Sequence, residues 1–583
     1  MFLALITALY FNLAHHFTLL IIITTPLTLY FNTLPRRYEE YTRRLMISSL
    51  LLTTRGLKNR EIKLLSHILR LTQAIVAAFA ILTLVYTLLV GFNMVLVVFT
   101  ASALCFLLLL LTLPKLLIYS WASQRKTSSE VELPYLAILL RILSVLKMPI
   151  YNILFLIENS TAFPASAKEI KFARKIATMT GVSLLRALDI VYSHHTSEKI
   201  ANLLRRVIIA ATTHGDFRSV AERVFDDLYS WFESRVSELV GNFTIIVGTS
   251  LFVYLFTPVI IVVIAPVMAD NLLLVLGISL TIQVFVFFTL YALILSLYPS
   301  SLVIKPSRKL KLASIAVLSI VACVMLYNVF SLVAGRDPLE EYITATLVGL
   351  ASIPVLILSE ARLRQAYFYN TFIRVSSDAL SIAAASGENP IAVLERSASI
   401  YGKRVVRFTK TITTGYISEK LKRGVVSRAP SIFHASFLET LLDVFRLGAT
   451  SEMLKVFTAS YERLNTQALR IRGFAKTVEA VIAGLVSITG GFLAYIDKVF
   501  NMVLSLIQSA TGGTGASIPL VIPFTYDPKI YSLLSNVSLL SLLLISILIG
   551  CIRGGSYTYS FRSFLLMLIL YIVFKSIIHI LIP

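Results

Sequence analysis

Apolar runs long enough to cross a membrane alternate along this chain with two longer stretches that are polar enough to fold in water. An apolar helix of about 20 residues spans the hydrocarbon core of a bilayer, which is about 30 Å thick. The first polar stretch runs from Leu133 to Val240 and the second from Phe372 to Lys476. The pattern predicts an all-α fold, that of a polytopic membrane protein with two cytoplasmic helical-bundle blocks.

Nine apolar runs are predicted to be membrane spans. They lie near residues 72–92, 94–118, 242–268, 271–298, 311–334, 342–359, 476–496, 531–551 and 560–582. Residues 1–32 are also apolar, but two histidines interrupt them and no basic residue precedes them, so they do not resemble a cleavable signal peptide. Two interpretations stay open for this segment, a further span and a helix lying along the membrane surface, and the span is slightly favoured.

Composition agrees with this class. Of the 583 residues, 57% are hydrophobic and 14% are charged, against about 45–50% and 25% in soluble domains. Cys105, Cys323 and Cys551 are far apart in the sequence and show no CxxC spacing, so no disulfide framework or metal site is predicted.

The formal charge of +22 comes from the segments between the spans. Residues 33–71 contain nine basic and three acidic residues, whereas 335–341 contain one basic and three acidic residues. Because basic segments stay on the cytoplasmic side, both polar blocks are predicted to be cytoplasmic. Topology explains the charge, and nucleic acid is not expected as a partner.

Glycine spacing suggests that the two blocks are copies of one another. Gly181 and Gly215 are 34 residues apart, and Gly415 and Gly448 are 33 apart. Spacings of three and four then place apolar residues on one helix face after the second glycine of each pair. These residues are Ala221, Val224, Leu228 and Trp231 in the first block, and Leu454, Phe457, Tyr461 and Leu464 in the second.

The helices before these glycines match in the same way. Their apolar residues are Ile200, Leu204 and Ile208 in the first block, and Phe433, Phe437 and Leu441 in the second. Each block is therefore predicted to contain an αα-hairpin closed by a glycine turn. Pro149-Ile150 and Pro390-Ile391 mark a matching earlier helix start. Chance alignment of two amphipathic helix pairs is the alternative, but duplication is favoured because the membrane context is also shared.

These features predict seven segments. Residues 1–71 form an N-terminal apolar segment and basic cytoplasmic region, and 72–118 a transmembrane hairpin. The first block covers 119–241 and is followed by transmembrane hairpins at 242–298 and 311–359. The second block covers 360–475, and 476–583 form a C-terminal transmembrane region.

The sequence contains none of three common catalytic motifs. GxxxxGK[ST], GxSxG and HExxH are all missing. His194, His195 and His214 have no cysteine or carboxylate at a metal-site spacing, so we interpret them as solvated or packing histidines. The chain is predicted not to be an enzyme and to need no cofactor or metal.

A polytopic transporter is the alternative function. Carriers usually place ionisable residues inside their spans, and these spans contain few. Glu479 is expected to cap a helix N-terminus, and Lys575 is expected to extend to the membrane surface. The predicted repeat is parallel, whereas many carriers are built from inverted repeats. Transport is weakened but not excluded.

Charged helix faces are the remaining functional candidates. Glu222, Asp226, Asp227, Glu233 and Glu238 give the first block an acidic face, and Arg404, Arg407, Lys410, Lys420, Lys422 and Arg423 give the second a basic one. A charge run is usually a solvated face. Two blocks of different charge on one side of a membrane nevertheless suit the docking of a soluble protein.

A duplicated cytoplasmic block that ends in a glycine-turn hairpin and continues into a span resembles the type II secretion system F domain. The resemblance covers residues 72–551. The number of spans and the apolar hairpin before each block are similar to the archaeal branch of these platform proteins, which serves the archaellum and archaeal pili.

The resemblance implies a non-enzymatic platform for a type IV pilus-like filament. Its expected partners are a cytoplasmic hexameric secretion ATPase, pilin-like filament subunits, membrane lipid and a second copy of the chain. The candidates for ATPase docking are then Glu222, Asp226, Asp227, Arg404, Arg407, Lys420, Lys422 and Arg423.

Overall fold

The computed structural model describes residues 122–195, 197–212, 217–264, 272–333, 339–415, 418–511 and 528–581. All regular secondary structure in these ranges is helical, which confirms the all-α class. The segment 1–32, the predicted spans 72–92 and 94–118, His214 and Gly215 lie outside the described residues.

The first polar stretch contains six helices. They are α1 (residues 122–145), α2 (Ile150–Glu158), α3 (Pro164–Thr180), α4 (Leu184–Ser193), α5 (Glu198–Thr212) and α6 (Phe217–Gly241). The predicted helix start at Ile150 is confirmed. Gly181 ends α3 with a φ of +70°, a conformation that glycine adopts without steric cost. Ser183 then caps α4 by accepting a hydrogen bond from the Arg186 amide.

Apolar helices follow. They are α7 (Phe243–Leu251), α8 (Thr257–Ile264), α9 (Leu272–Leu297) and α10 (Arg308–Val333). The long helix α11 (Glu341–Ser386) then leads into the second polar stretch.

After α11, the described part of the second stretch contains five helices. Its helices are α12 (Pro390–Ile400), α13 (Lys403–Gly415), α14 (Glu419–Ser427), α15 (Ile432–Arg446) and α16 (Ser451–Thr511). The predicted start at Pro390 is confirmed, with the Asn389 side chain accepting a hydrogen bond from the Ile391 amide. The chain ends with α17 (Pro528–Gly554) and α18 (Phe561–Leu581).

Six of the predicted spans are confirmed as helices long and apolar enough to cross a membrane. They are Ile278–Leu297, Arg308–Asn328, Glu341–Ser386, Ser451–Val503, Asn536–Gly554 and Phe561–Leu581. Helices α3 and α4 are long and apolar enough to cross a membrane only when they are taken together, and the chain bends by 118° between them. The described residues therefore contain the apolar helices expected of a multi-pass membrane protein.

The predicted span at 242–268 is not one regular helix. A π-helical segment, Phe252–Phe256, separates α7 from α8. Pro258 has no amide hydrogen, so the carbonyl of Tyr254 loses its usual helical partner, and the wider π turn accommodates this loss. The apolar helical part that results, Gly248–Ile261, is shorter than the other candidate spans.

The described residues form two compact units. One holds residues 122–130, Ile150–Asn159 and Pro164–Phe217. The other holds Val131–Pro149, Ser160–Phe163 and the chain from Arg218 onward. The units are defined by packing, and their boundaries do not follow the predicted segment boundaries at 119, 241 and 360.

Within the second unit, α17 is the central apolar helix. In its most apolar segment 83% of the residues are buried, against 22–50% in the other five candidate spans. Those five expose apolar side chains on their outer faces. Helices α16 and α18 approach closely at Gly490, where an added Cβ would lie 2.8 Å from the carbonyl oxygen of Tyr571. A larger residue at this position would push the two helices apart.

Candidate functional site

Two helices continue without a break across a boundary between an apolar and a polar stretch of the sequence. Helix α11 has 46 residues and α16 has 61, which correspond to about 70 Å and about 90 Å at a rise of 1.5 Å per residue. A hydrocarbon core about 30 Å thick can contain only part of either helix. Both therefore connect the second block to the apolar helices through unbroken helix.

Helix α15 forms the core of the second block. The aromatic rings of Phe437, Phe457 and Tyr461 have centroids 4.9–5.2 Å apart, and α1 adds Tyr135 beside Phe433. These contacts confirm the predicted hairpin face, because all seven residues predicted on α15 and α16 are at most 1% exposed. The turn between the helices is at Gly448, with a φ of +93°.

The first block agrees with its predicted face in most positions. Ile200, Ala221, Val224 and Leu228 are buried, and Leu204, Ile208 and Trp231 are partly buried. The glycine turn predicted at Gly215 lies outside the described residues. Gly415, which the spacing paired with Gly181, is the last residue of α13 and does not have the positive φ of Gly181.

A buried charge cluster joins α14 to α15. The Lys422 ammonium lies 2.5 Å from a carboxylate oxygen of Asp443 and 3.4 Å from one of Glu439. Glu439 also accepts hydrogen bonds from the backbone amides of Ala162, at 2.6 Å, and Thr161, at 3.2 Å. Burial raises the pKa of Asp443 to about 6, although Lys422 acts to lower it.

The prediction that Lys422 belongs to a solvent-exposed docking face is therefore wrong. Its side chain is 7% exposed and is directed at two carboxylates of the next helix. The other basic candidates, Arg404, Arg407, Lys410, Lys420 and Arg423, are exposed. The guanidinium of Arg404 lies 4.7 Å from the ring centre of Phe368.

Part of the acidic face of α6 is a contact surface for α16. Arg218 donates a hydrogen bond to Glu452 at 2.5 Å, and the Gln467 amide donates to Glu233 at 3.1 Å. Arg470 donates to Ser237 at 3.3 Å. We call this row of contacts the polar seam. The contacts of Glu233 and Asp226 with α16 account for part of the acidic pattern on α6.

The three acidic docking candidates differ in their surroundings. Asp226 lies 3.6 Å from Arg463 of α16, and Glu222 lies 3.6 Å from Arg218 one turn earlier on its own helix. Asp226 and Asp227 are exposed, and Glu222 is partly buried. Asp226 therefore contributes to the polar seam as well as to the surface.

His195 packs inside the other compact unit. Its Nε2 lies 3.1 Å from Glu169, which also accepts hydrogen bonds from Arg125 at 3.0 Å and Ser129 at 3.1 Å. Burial alone would raise the pKa of Glu169, but the hydrogen bond with His195 and the charge of Arg125 outweigh it and lower that pKa. The packing interpretation is confirmed for His195, and His194 is exposed.

Two expectations about ionisable residues in the spans are wrong. Glu479 does not cap a helix N-terminus, because α16 begins at Ser451; its carboxylate accepts a hydrogen bond from Ser563 at 2.8 Å. Lys575 does not extend to the surface, because its side chain is 3% exposed and paired with Glu341. Both partners lie on other helices, which local sequence could not reveal.

The described residues contain no group of three or more histidine, cysteine, aspartate or glutamate side chains that could hold a metal ion. No protein-family model, curated protein or solved structure matches this chain. Arguments about its function therefore depend on the geometry of the blocks and of the helices that leave them.

Proposed function

We propose that this protein is the membrane platform of a machine that assembles a type IV pilus-like filament, with two duplicated cytoplasmic blocks that dock a secretion ATPase. The observation that carries this proposal is the polar seam. The glycines Gly215 and Gly448, which define the predicted repeat, are 233 residues apart. The hydrogen-bonded pairs Arg218 with Glu452, Glu233 with Gln467, and Ser237 with Arg470 are separated by 234, 234 and 233 residues. The pairs Asp226 with Arg463 and Tyr229 with Gln467 are separated by 237 and 238 residues, about one helical turn more.

This agreement is expected if α6 and α16 are equivalent helices of two copies and pack in parallel. In a two-fold interface the same surface is used by both partners, and equivalent residues meet near the axis. Parallel packing alone gives the pairs one nearly constant separation, but it does not require that separation to equal the register of the glycines. The repeated helix order, α2 to α6 and α12 to α16, supports duplication in the same way.

Continuous helices give such a platform a physical way to transmit motion. Helix α16 contributes to the core of the second block through Phe457 and Tyr461 and reaches the apolar helices through Gly490. A displacement of the block would therefore move α16 relative to α18, which it contacts at Gly490. The energy would come from a partner ATPase, since the chain has no P-loop motif.

Co-purification with a secretion ATPase from the same organism tests the proposal. We expect the full chain in detergent to retain the ATPase. Changing the exposed Arg407 and Lys420 to Glu should weaken retention at least tenfold, whereas Lys309→Glu, an exposed control in the first turn of α10, should have no effect. Absence of binding by the wild-type chain would contradict the proposal.

Transport is the second candidate, and one observation favours it. Glu341 and Lys575 form a buried ion pair between candidate spans, and Lys575 lies 6.0 Å from the ring centre of Tyr571. Buried charges in spans often mark a transport path. Substrate flux in liposomes that is lost in Lys575→Met and in Glu479→Gln would support this function over the platform.

A further inference from the structure

A small cavity lies where the apolar helices meet the second block. Its wall includes Tyr298 after α9, Ser431 and His434 at the start of α15, Arg472 of α16 and Arg553 near the end of α17. Helices α9 and α17 are apolar up to this level, and the predicted span of α16 begins at residue 476. The cavity is therefore at the depth where hydrocarbon gives way to lipid headgroups.

Arg553 is buried beside this cavity without a full set of partners. Its side chain is 8% exposed, and its Nη1 atom is buried with no hydrogen-bond partner among the described residues. Its Nη2 atom lies 3.7 Å from Glu360, which is also 3.8 Å from Arg364 and 3.7 Å from Arg562. One carboxylate therefore faces three guanidinium groups.

Arg472 contacts only neutral groups among the described residues. Its guanidinium lies 5.0 Å from the ring centre of Tyr367. With the Asn370 amide oriented so that its nitrogen donates to His434, the amide oxygen accepts a hydrogen bond from Nη2 of Arg472 at 2.7 Å. Burial, followed by the charge of Arg472, holds the pKa of His434 well below its usual range, so His434 adds no positive charge.

The general preference for basic residues on the cytoplasmic side does not account for this arrangement. That preference concerns solvated lysines and arginines in loops. Arg553 has only the shared carboxylate of Glu360, at 3.7 Å, and Arg472 is partly buried with no counter-charge among the described residues. An anion held by charge-assisted hydrogen bonds would offset the cost of desolvating the two guanidinium groups. Arginine is also the residue best suited to phosphate, because its planar donors match two oxygens.

The size of the cavity limits the ligand. It has room for about one water-sized group. A nucleotide cannot enter it, whereas a single phosphate oxygen can enter from the open side while the rest of the ligand stays outside. A phospholipid meets this condition, because its phosphate lies at headgroup depth and its acyl chains remain in the bilayer.

We propose that Arg472 and Arg553 form a binding site for the phosphate group of an anionic phospholipid at the junction of the second block and the apolar helices. The site is independent of the proposed platform function, because it requires only that the chain resides in a membrane. A bound lipid would neutralise the junction and fix the block against the bilayer surface.

Lipid binding to the full chain in detergent tests this proposal. The probes are phosphatidylglycerol, phosphatidylcholine and inorganic phosphate, and the readouts are native mass spectrometry and the thermal midpoint. We expect phosphatidylglycerol to remain bound and to raise the midpoint more than phosphatidylcholine. Inorganic phosphate that matches phosphatidylglycerol at equal concentration would identify free phosphate as the ligand and overturn the lipid assignment.

Matched variants distinguish a specific site made by the two arginines from general attraction between the lipid and any positive charge. Arg472→Gln and Arg553→Gln should each weaken phosphatidylglycerol binding at least tenfold. Lys476→Gln removes the same charge from an exposed position one turn along α16 and should change affinity less than twofold. Equal losses in Arg472→Gln and Lys476→Gln would overturn the proposal, as would unchanged binding in both arginine variants.

A further variant keeps the test decisive if the glutamine variants do not fold. Arg472→Lys keeps the charge but loses the planar set of donors, and it should show intermediate affinity while eluting as the wild type does in size-exclusion chromatography. If Arg472→Lys folds normally and binds phosphatidylglycerol as tightly as the wild type does, the planar donors of arginine are not used. That result would overturn the assignment of Arg472 to the site.

Discussion

At the scale of single residues, the buried cluster of Lys422, Glu439 and Asp443 decides how firmly α14 is held to α15. Two carboxylates and one ammonium share a space that is nearly closed to water. Such a cluster tolerates the loss of one carboxylate better than the loss of its only cation, because an unpaired buried charge has no solvent to stabilise it.

Lys422→Met should therefore be strongly destabilising. Removing one partner of a buried ion pair costs about 3–5 kcal/mol, so the thermal midpoint in detergent should fall clearly. Lys420→Met, at an exposed position two residues earlier, should change stability by no more than about 0.5 kcal/mol. Similar midpoints for the two variants would show that the cluster is not a source of stability.

Asp443 should make stability depend on pH. Its pKa is about 6 in the folded protein against an ordinary value of 3.8, so between these values the folded state binds a proton that the unfolded chain does not bind. Through this group, stability falls as pH rises through 6. Asp443→Asn should flatten the dependence of the thermal midpoint between pH 4 and pH 7, measured relative to wild type; an unchanged dependence would contradict the assignment.

Sequence could not have identified this cluster. The local pattern places Lys422 among Lys420 and Arg423, which are solvated, and its partners lie 17 and 21 residues later on another helix. The same limitation applies to Lys575 and Glu479. By contrast, the faces containing Phe433, Phe437, Phe457 and Tyr461 could be predicted, because helical periodicity is a local property.

At the scale of helices, the turn at Gly448 sets the hairpin of the second block. Gly448→Val should cost about 1–2 kcal/mol or more, because residues with a Cβ avoid a φ of +93° even though there is open space around this position. Gly473→Ala, in the middle of α16 and also facing open space, should instead stabilise by about 0.5–1 kcal/mol. Thermal midpoints that move in the same direction would contradict the turn assignment.

The polar seam can be tested by cross-linking. In a chain whose three cysteines are replaced, Arg218→Cys with Glu452→Cys should be joined by a short bismaleimide, and cleavage at a protease site inserted near Gly387 should then leave the two fragments linked. The control pair, Arg218→Cys with Glu462→Cys, should not be joined, because ten residues of helix displace the second position by about 15 Å. Equal linking of both pairs would contradict the seam.

At the scale of the whole molecule, the sequence allowed the helical class and six spans to be predicted, because long apolar runs are recognisable without tertiary information. The break at Phe252–Phe256 was not predicted, since the effect of Pro258 on its helix depends on neighbouring packing. The continuity of α11 and α16 was also missed, because a change from apolar to polar residues looks like a boundary even when the helix does not end there.

Filament assembly in the native organism tests the central claim most directly. Deletion of the gene should abolish surface filaments counted by electron microscopy, and the wild-type gene should restore them. A gene carrying Lys422→Met should restore them poorly, and one carrying Lys420→Met should restore them fully. Normal filament numbers, motility and secretion in the deletion strain would contradict the platform function.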